Sequence, residues 1–398
     1  MGGPLAGLRV LDLATFIAAP FCGTLLAEFG ADVLKIELPG PGDSLRTLGD
    51  QVDGFGLLWL QESRNKRVMT CDLRTAAGQE IVRDLVARGY DIVLENFRPG
   101  TLERWGLGYD DLANLNPGVI MVRVSGYGQT GPARGKPGFG RIAHAFGGLT
   151  YLSGDPDRPP VNPGSATIAD YLAGLFAAFG VLVAREHRFQ TGEGQIVDVA
   201  LYEAVFRVLD SLAITYSATG EVRERSGSVT PLAAPHNHYP TADGKWLAIA
   251  CTNDRIFDRL AAAMQRPELS ADARFRDARA RVAHRETLDE LIAEWTRQHS
   301  IQALSALLES AEVPCSPIMS IADVFQDPQY LARESLLAFA HARLGALRMP
   351  NVVPRLSESP GVVESLGPEL GQHTDLVLRD VLAYTHERIA DLRRQGIV

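Results

Sequence analysis

The sequence predicts an α/β protein built on a mostly parallel sheet with helices packed on its faces. Over the first 125 residues, short apolar runs of strand length alternate with stretches of helical periodicity, the order that parallel sheets with helical crossovers require. A second observation is the apolar segment Tyr171–Ala184, entered through a Pro-Gly-Ser turn and Asp170 and closed by Arg185-Glu-His187. It reads as a buried core helix with a carboxylate at its mouth.

The elements follow in order. Leu8–Leu13 is a strand, Ala19–Phe29 a helix ended by Gly30, and Asp32–Leu38 a second strand. Arg67–Leu73 alternates as a strand, and Thr75–Arg88 places Ile81, Leu85 and Val86 at helical spacing before Gly89. Asp91–Glu95 and Val119–Val124 are further strands, as is Gln195–Val199, which precedes a helix from about Tyr202 to Ser217. Ligands of such sheets bind beyond the carboxyl ends of the strands. Ala14–Ala18, Pro39–Arg46, Arg74, Asn96–Arg104 and Ser125–Arg141 are therefore the segments of interest. Residues 1–218 form the first part of a large domain, and the Gly/Pro-rich stretch 219–234 a linker. Residues 235–320 form a small α+β domain whose hairpin, His238–Ala242 with Trp246–Cys251, turns on Asp243-Gly244. Residues 321–398 return to the large domain.

A chain of 398 residues accommodates two such domains. Its net charge of −9 disfavours a nucleic-acid partner. Cys22, Cys71, Cys251 and Cys315 are dispersed and form no CxxC pair, a pattern suited to reduced thiols in the cytoplasm. The N-terminus lacks the basic and apolar regions of a secretory signal. The 14-residue apolar run is shorter than the ~20 residues a membrane span needs, so no membrane partner is expected.

An acid at a helix entrance is favoured by the free amides there. Asp170 reads either as a helix cap or as a nucleophile. Arg46, Arg74, Arg98, Arg104, Arg134, Lys136 and Arg141 fall at strand ends. Each alone could be a solvated surface charge; as a set they suggest a phosphate-bearing ligand held by side-chain cations. Gly126-Tyr-Gly-Gln-Thr-Gly131 imitates a dinucleotide fingerprint, but Pro132 and Pro137 follow where a helix must begin. His236-Asn-His238 lacks a third ligand nearby, so no metal site is expected. No G-x-S-x-G elbow is present.

Several phrases, taken together, resemble the class III CoA-transferases, the family of formyl-CoA transferase and the carnitine CoA-transferases. They are Phe29–Glu37 (FGADVLKIE), Asn65-Lys-Arg67, Glu95–Gly100 (ENFRPG), Gly126–Pro132, Pro137-Gly-Phe139, Gly192–Val199 and Leu370–Leu378. They run in the family's order along nearly the whole chain. The resemblance implies a Rossmann-like large domain built from both chain ends, a small middle domain and an interlocked, ring-like homodimer. It places the nucleophilic aspartate on Asp170, and coenzyme A contacts on Leu73, Arg74, Asn96, Phe97, Arg98, Arg104 and Lys136. It implies no permanently bound cofactor, with a CoA thioester as substrate.

Three departures set this chain apart from the formyl-CoA enzymes. Ile17 replaces a glutamine, Leu38 replaces an arginine, and Ala234–Tyr239, with His236, stands where those enzymes have a polyglycine flap. Racemases of the superfamily carry Gly-His-Asp where this chain has Gly138-Phe-Gly140, which argues against proton-transfer chemistry. The expected reaction is CoA transfer through an aspartyl thioester, with Arg141 and His144 holding the distal carboxylate of a C4–C5 dicarboxylate and succinyl-CoA as donor. Ile17 and His236 are the other expected substrate contacts. The alternatives are an intramolecular CoA transfer, a 2-methylacyl-CoA racemase and an inactive CoA-binding subunit.

Overall fold

The computed structural model describes residues 3–398. They fall into two compact units. One takes the chain up to Thr150, Asn162–Ile214 and Glu334–Val398, and so contains both ends; the other takes Tyr151–Val161 and Thr215–Arg333. These bounds differ from the expected ones in two places. Tyr151–Val161 joins the second unit because Arg225 Nη1 donates to the Tyr151 carbonyl at 2.8 Å and Gly227 N to the Gly154 carbonyl at 3.0 Å. Residues 321–333 also stay there, as short helices directly following the edge strand Cys315–Pro317.

The first unit holds six strands: β1 (Arg9–Asp12), β2 (Asp32–Glu37), β3 (Arg67–Thr70), β4 (Ile92–Glu95), β5 (Ile120–Ser125) and β6 (Ile196–Ala200). Every neighbouring pair is parallel, in the order β3-β2-β1-β4-β5-β6. This is the doubly wound order of nucleotide-binding sheets. Because side chains alternate across a strand, the sheet feeds a core on each face. Val10, Ile92, Leu94, Ile120 and Val122 enter one, and Leu11, Val93 and Met121 the other. Val377, Leu378, Ile389 and Leu392 close the second core, which is how the C-terminal segment becomes part of the domain that the N-terminus begins.

Five helices matter to the site: α1 (Ala18–Glu28), α2 (Ala76–Ala87), α3 (Gly140–Phe146), α4 (Ile168–Thr191) and α5 (Leu201–Arg207). Helix α4 lays Ala169, Ala173, Ala177, Val181 and Ala184 against the first core at four-residue spacing. Gly174 permits its approach to α1, since a Cβ there would stand 2.6 Å from the Ala18 carbonyl oxygen. The expectation of a wholly buried Tyr171–Ala184 helix needs correction. The helix has 24 residues, and its outer face leaves Leu175, Phe179, Leu182 and Val183 exposed. The expected helix over Tyr202–Ser217 is also interrupted between Arg207 and Leu212, where Asp210 adopts φ +53°. Aspartate is among the few residues that enter this left-handed region readily.

In the second unit, His236–Pro240, Trp246–Ala250 and Cys315–Pro317 form an antiparallel sheet, with Gly244 at φ +73° in its hairpin turn. Helices Asp254–Ala263, Arg285–Thr296 and Ile301–Ser310 bury Phe257, Leu260, Leu288, Ile292 and Leu304 against it.

Candidate active site

Chain direction across the sheet switches between β1 and β4, whose following loops diverge to open a crevice. A cleft of about 480 Å³ lies there, lined from β1 by Thr15–Ala18, from β4 by Asn96–Pro99 and from β5 by Ser125 and Gly126, together with Arg134–Arg141, Thr167 and Asp170. Its first wall is firmly held. The Asn96 side chain accepts from Thr15 N at 2.9 Å and donates to Thr15 O at 2.7 Å. Phe16, at φ +63°, donates its amide to Asp43 Oδ1 at 3.0 Å. Asp43 pairs with buried Lys35 at 2.9 Å, and Lys35 Nζ also donates to the Ala14 carbonyl. Lys66, equally buried, pairs with Asp12 at 3.0 Å and donates to Pro20 O at 2.6 Å. Two buried lysines and two buried aspartates thus neutralise one another beneath the β1–α1 turn.

Asp170 is half-buried in the first turn of α4. The Thr167 hydroxyl donates to its Oδ2. Gly140, the first residue of α3, lies so close that a Cβ there would stand 2.5 Å from the same oxygen. Gly126 and Gly138 face each other in the same way, a Cβ on Gly126 falling 3.0 Å from Gly138 Cα. The glycine phrases that imitate a dinucleotide fingerprint are therefore close approaches of two turns beside a carboxylate. Burial raises the Asp170 pKa, while the Thr167 hydrogen bond and the nearby His144 pull it partly back.

Arg98, Arg134, Lys136 and Arg141 line the cleft, are exposed and make no ion pair among the described residues. Asp170 thus faces a space rimmed by uncommitted positive charge. A second cavity of about 570 Å³ in the same unit is also lined by cations, but these are engaged. Its Arg46 pairs with Glu37 at 2.7 Å and its Arg67 with Asp32 at 2.6 Å.

Of the expected coenzyme A contacts, Asn96, Phe97, Arg98 and Lys136 reach the cleft. Leu73, Arg74 and Arg104 lie outside its lining. The Leu73 side chain is buried in the second core, Arg74 makes a two-pronged pair with Asp72 at 2.8 and 2.7 Å, and Arg104 donates to Thr101 Oγ1 at 3.0 Å. Ile17 lines the cleft from the start of α1. Arg141 does so from α3. His236 belongs to the second unit, opposite Ala250 in its sheet.

The expectation that His144 contacts substrate is overturned. It is buried, its Nε2 accepts from Ala169 N at 2.9 Å, and its Nδ1 meets Asn162 Oδ1 at 3.2 Å. Both ring nitrogens are committed, which also removes it as a proton-transfer partner. Thr167, Gly140 and Phe16 went unnoticed in the sequence. A threonine three residues before an acid in a helix start was the available signal for Thr167; nothing local marked the other two.

Fold and cleft define an α/β enzyme with a carboxylate and a cationic rim at its switch point. The model of CoA-transferase family III matches residues 5–374, and the chain belongs to that family. It is a CoA-transferase. Relatives include the succinyl-CoA–L-malate CoA-transferase beta subunit of Chloroflexus aurantiacus, 50% identical over 99% of this chain and 98% of the relative. The succinyl-CoA–D-citramalate CoA-transferase of the same organism is 48% identical over 99% and 98%. Among solved structures, a CAIB/BAIF family protein from Brucella suis superposes with a TM-score of 0.85 at 36% identity, covering 96% of this chain and all of that one.

Proposed function

We propose that the enzyme transfers CoA from succinyl-CoA to a C4–C5 dicarboxylate through a covalent thioester on Asp170. The observation that carries this reading is the Asp170 carboxylate, bound by Thr167, in one cleft with four unpaired cations. A thioester and a carboxylate exchange CoA slowly without covalent help, and an enzymic carboxylate divides the exchange into easier steps. Asp170 attacks the succinyl carbonyl, breaking its C–S bond and releasing CoA thiolate, to leave an aspartyl–succinyl anhydride. The thiolate attacks the aspartyl carbonyl, expelling succinate and forming aspartyl-CoA thioester. The acceptor carboxylate then attacks that carbonyl, giving a second anhydride and thiolate. Thiolate attack on the acceptor's own carbonyl frees the product thioester and restores the carboxylate. Each step conserves charge without a general base. Backbone amides at the start of α3, beside Asp170, are the expected donors to the transient oxyanions.

Arg98 and Lys136 bind the phosphates of CoA in this scheme, and Arg141, adjacent to Gly140, holds the distal carboxylate. Relatives whose names specify succinyl-CoA with malate or citramalate support a hydroxy-dicarboxylate acceptor. The apolar outer face of α4 supports a dimer in which a second copy of the chain covers Leu175, Phe179 and Val183. Such a face is too large a stripe to be scattered surface residues. The buried thiols of Cys22, Cys71 and Cys251 fit a reducing cytoplasm.

A mass-spectrometric matrix of acyl-CoA donors against carboxylate acceptors tests the substrate assignment. Succinyl-CoA with L-malate or citramalate should give a new acyl-CoA, and turnover only with monocarboxylates would contradict it. Replacing Arg141 with Met should raise KM for dicarboxylates about tenfold or more, the scale of a lost charge-assisted contact, and leave monocarboxylates nearly unchanged. Equal effects on both would remove Arg141 from the acceptor site.

A further inference from the structure

We propose that His144 is a positioning residue for Asp170, acting through the backbone amide of Ala169. This rests on Asp170 being the nucleophile. The first amides of a helix lack intrahelical acceptors and are ordinarily satisfied by the N-cap side chain or water. In α4 neither is at hand for Ala169. Its residue is fully buried, and the N-cap Thr167 makes no capping bond because its hydroxyl is committed to Asp170 Oδ2. The missing acceptor comes from another helix: His144 of α3 presents Nε2 to Ala169 N at 2.9 Å.

The tautomer follows from the partners. Nε2 accepts, so the ring proton sits on Nδ1 and is directed to Asn162 Oδ1 at 3.2 Å. The Asn162 orientation is fixed in turn, since its Nδ2 donates to Gly164 O at 2.5 Å. The chain Gly164–Asn162–His144–Ala169 therefore ends one residue before the nucleophile. It also pins α3 against α4, and α3 contributes the Gly140 backbone that lies against the carboxylate. The arrangement frees the Thr167 hydroxyl for Asp170 and sets the direction of the carboxylate relative to the cleft.

Glutamine and asparagine separate this role from simple packing. In His144→Gln the side-chain oxygen reaches the position of Nε2 and can accept from Ala169. In His144→Asn the side chain reaches only the position of Nδ1 and leaves that amide unpaired. Single-turnover formation of the Asp170 adduct and steady-state transfer from succinyl-CoA are measured on the full-length enzyme. His144→Asn should slow adduct formation and kcat by roughly 10–100-fold, the usual scale for groups that orient a reacting residue, with KM for succinyl-CoA within about twofold. His144→Gln should recover most of that rate. An Asn variant as fast as wild type, or a Gln variant as slow as Asn, would overturn the proposal. Should the Asn variant not fold, 15N shifts of the His144 ring in wild type give a second reading. A protonated Nδ1 and bare Nε2 are expected, and the reverse tautomer would contradict the assignment. Wild-type turnover with no adduct at Asp170 would instead overturn the nucleophile reading, and this inference with it.

Discussion

Asp170 is held in a place that makes its charge costly. Burial is the main cause of its raised pKa, with Thr167 and His144 opposing. Two results follow. Adduct formation requires the carboxylate, so its rate should fall as pH drops through a value above the ordinary carboxylate range. A group whose folded pKa is raised contributes stability below its unfolded pKa and loses that contribution as pH rises through the folded one. Asp170→Asn should therefore abolish transfer while raising Tm at pH 7, and the Tm gain should vanish below the unfolded value of about 3.9. A lower Tm at pH 7 would contradict the sign. Gly140→Ala should cost about 1–3 kcal/mol from overpacking and reduce kcat more than CoA binding, as measured by denaturation and steady-state kinetics. The acid itself was legible in the sequence as a carboxylate at a helix mouth. Its contacts were not: Gly140 and His144 meet it only because α3 is apposed to α4, which no local pattern of residues encodes.

At the scale of elements, the β1–α1 turn shows why certain phrases stand where they do. Lys35 in β2 and Lys66 just before β3 are buried lysines, not surface charges. Burial pushes the pKa of Lys66 down, whereas for Lys35 Asp12 and Asp43 outweigh burial and raise it. Removing one partner of such a set strands the others. Lys35→Met should cost about 3–5 kcal/mol in urea unfolding and loosen the wall formed by Thr15 and Phe16; a loss under 1 kcal/mol would show the network to be replaceable. The order and type of the sheet elements were readable because apolar runs and helical spacing alternate cleanly through β1 to β5. The partial exposure of α4 was not, since an apolar residue awaiting a partner has the same sequence signature as one in a core.

At the scale of the whole molecule, the closure of the second core by Val377–Leu392 explains how both ends of the chain serve one unit. The outer face of α4 yields the prediction that belongs here. Light scattering on the purified protein should give the mass of two chains, and Phe179→Glu with Val183→Glu should shift it toward one chain or reduce solubility. A stable, soluble wild-type monomer would contradict the assigned occupant. The family was legible from phrases spread along the chain, and their physical content emerged only with the fold. Asn96 and Lys35 prove to be supports for a cleft wall, while Arg98 and Lys136 face the cleft itself.

The central claim is that Asp170 becomes covalently bonded to the transferred group. Incubation of the enzyme with succinyl-CoA, quenching with hydroxylamine and peptide mass spectrometry test it directly. The account predicts conversion of Asp170 alone to a hydroxamate, absent without acyl-CoA. An enzyme that transfers CoA while Asp170 remains unmodified would contradict it.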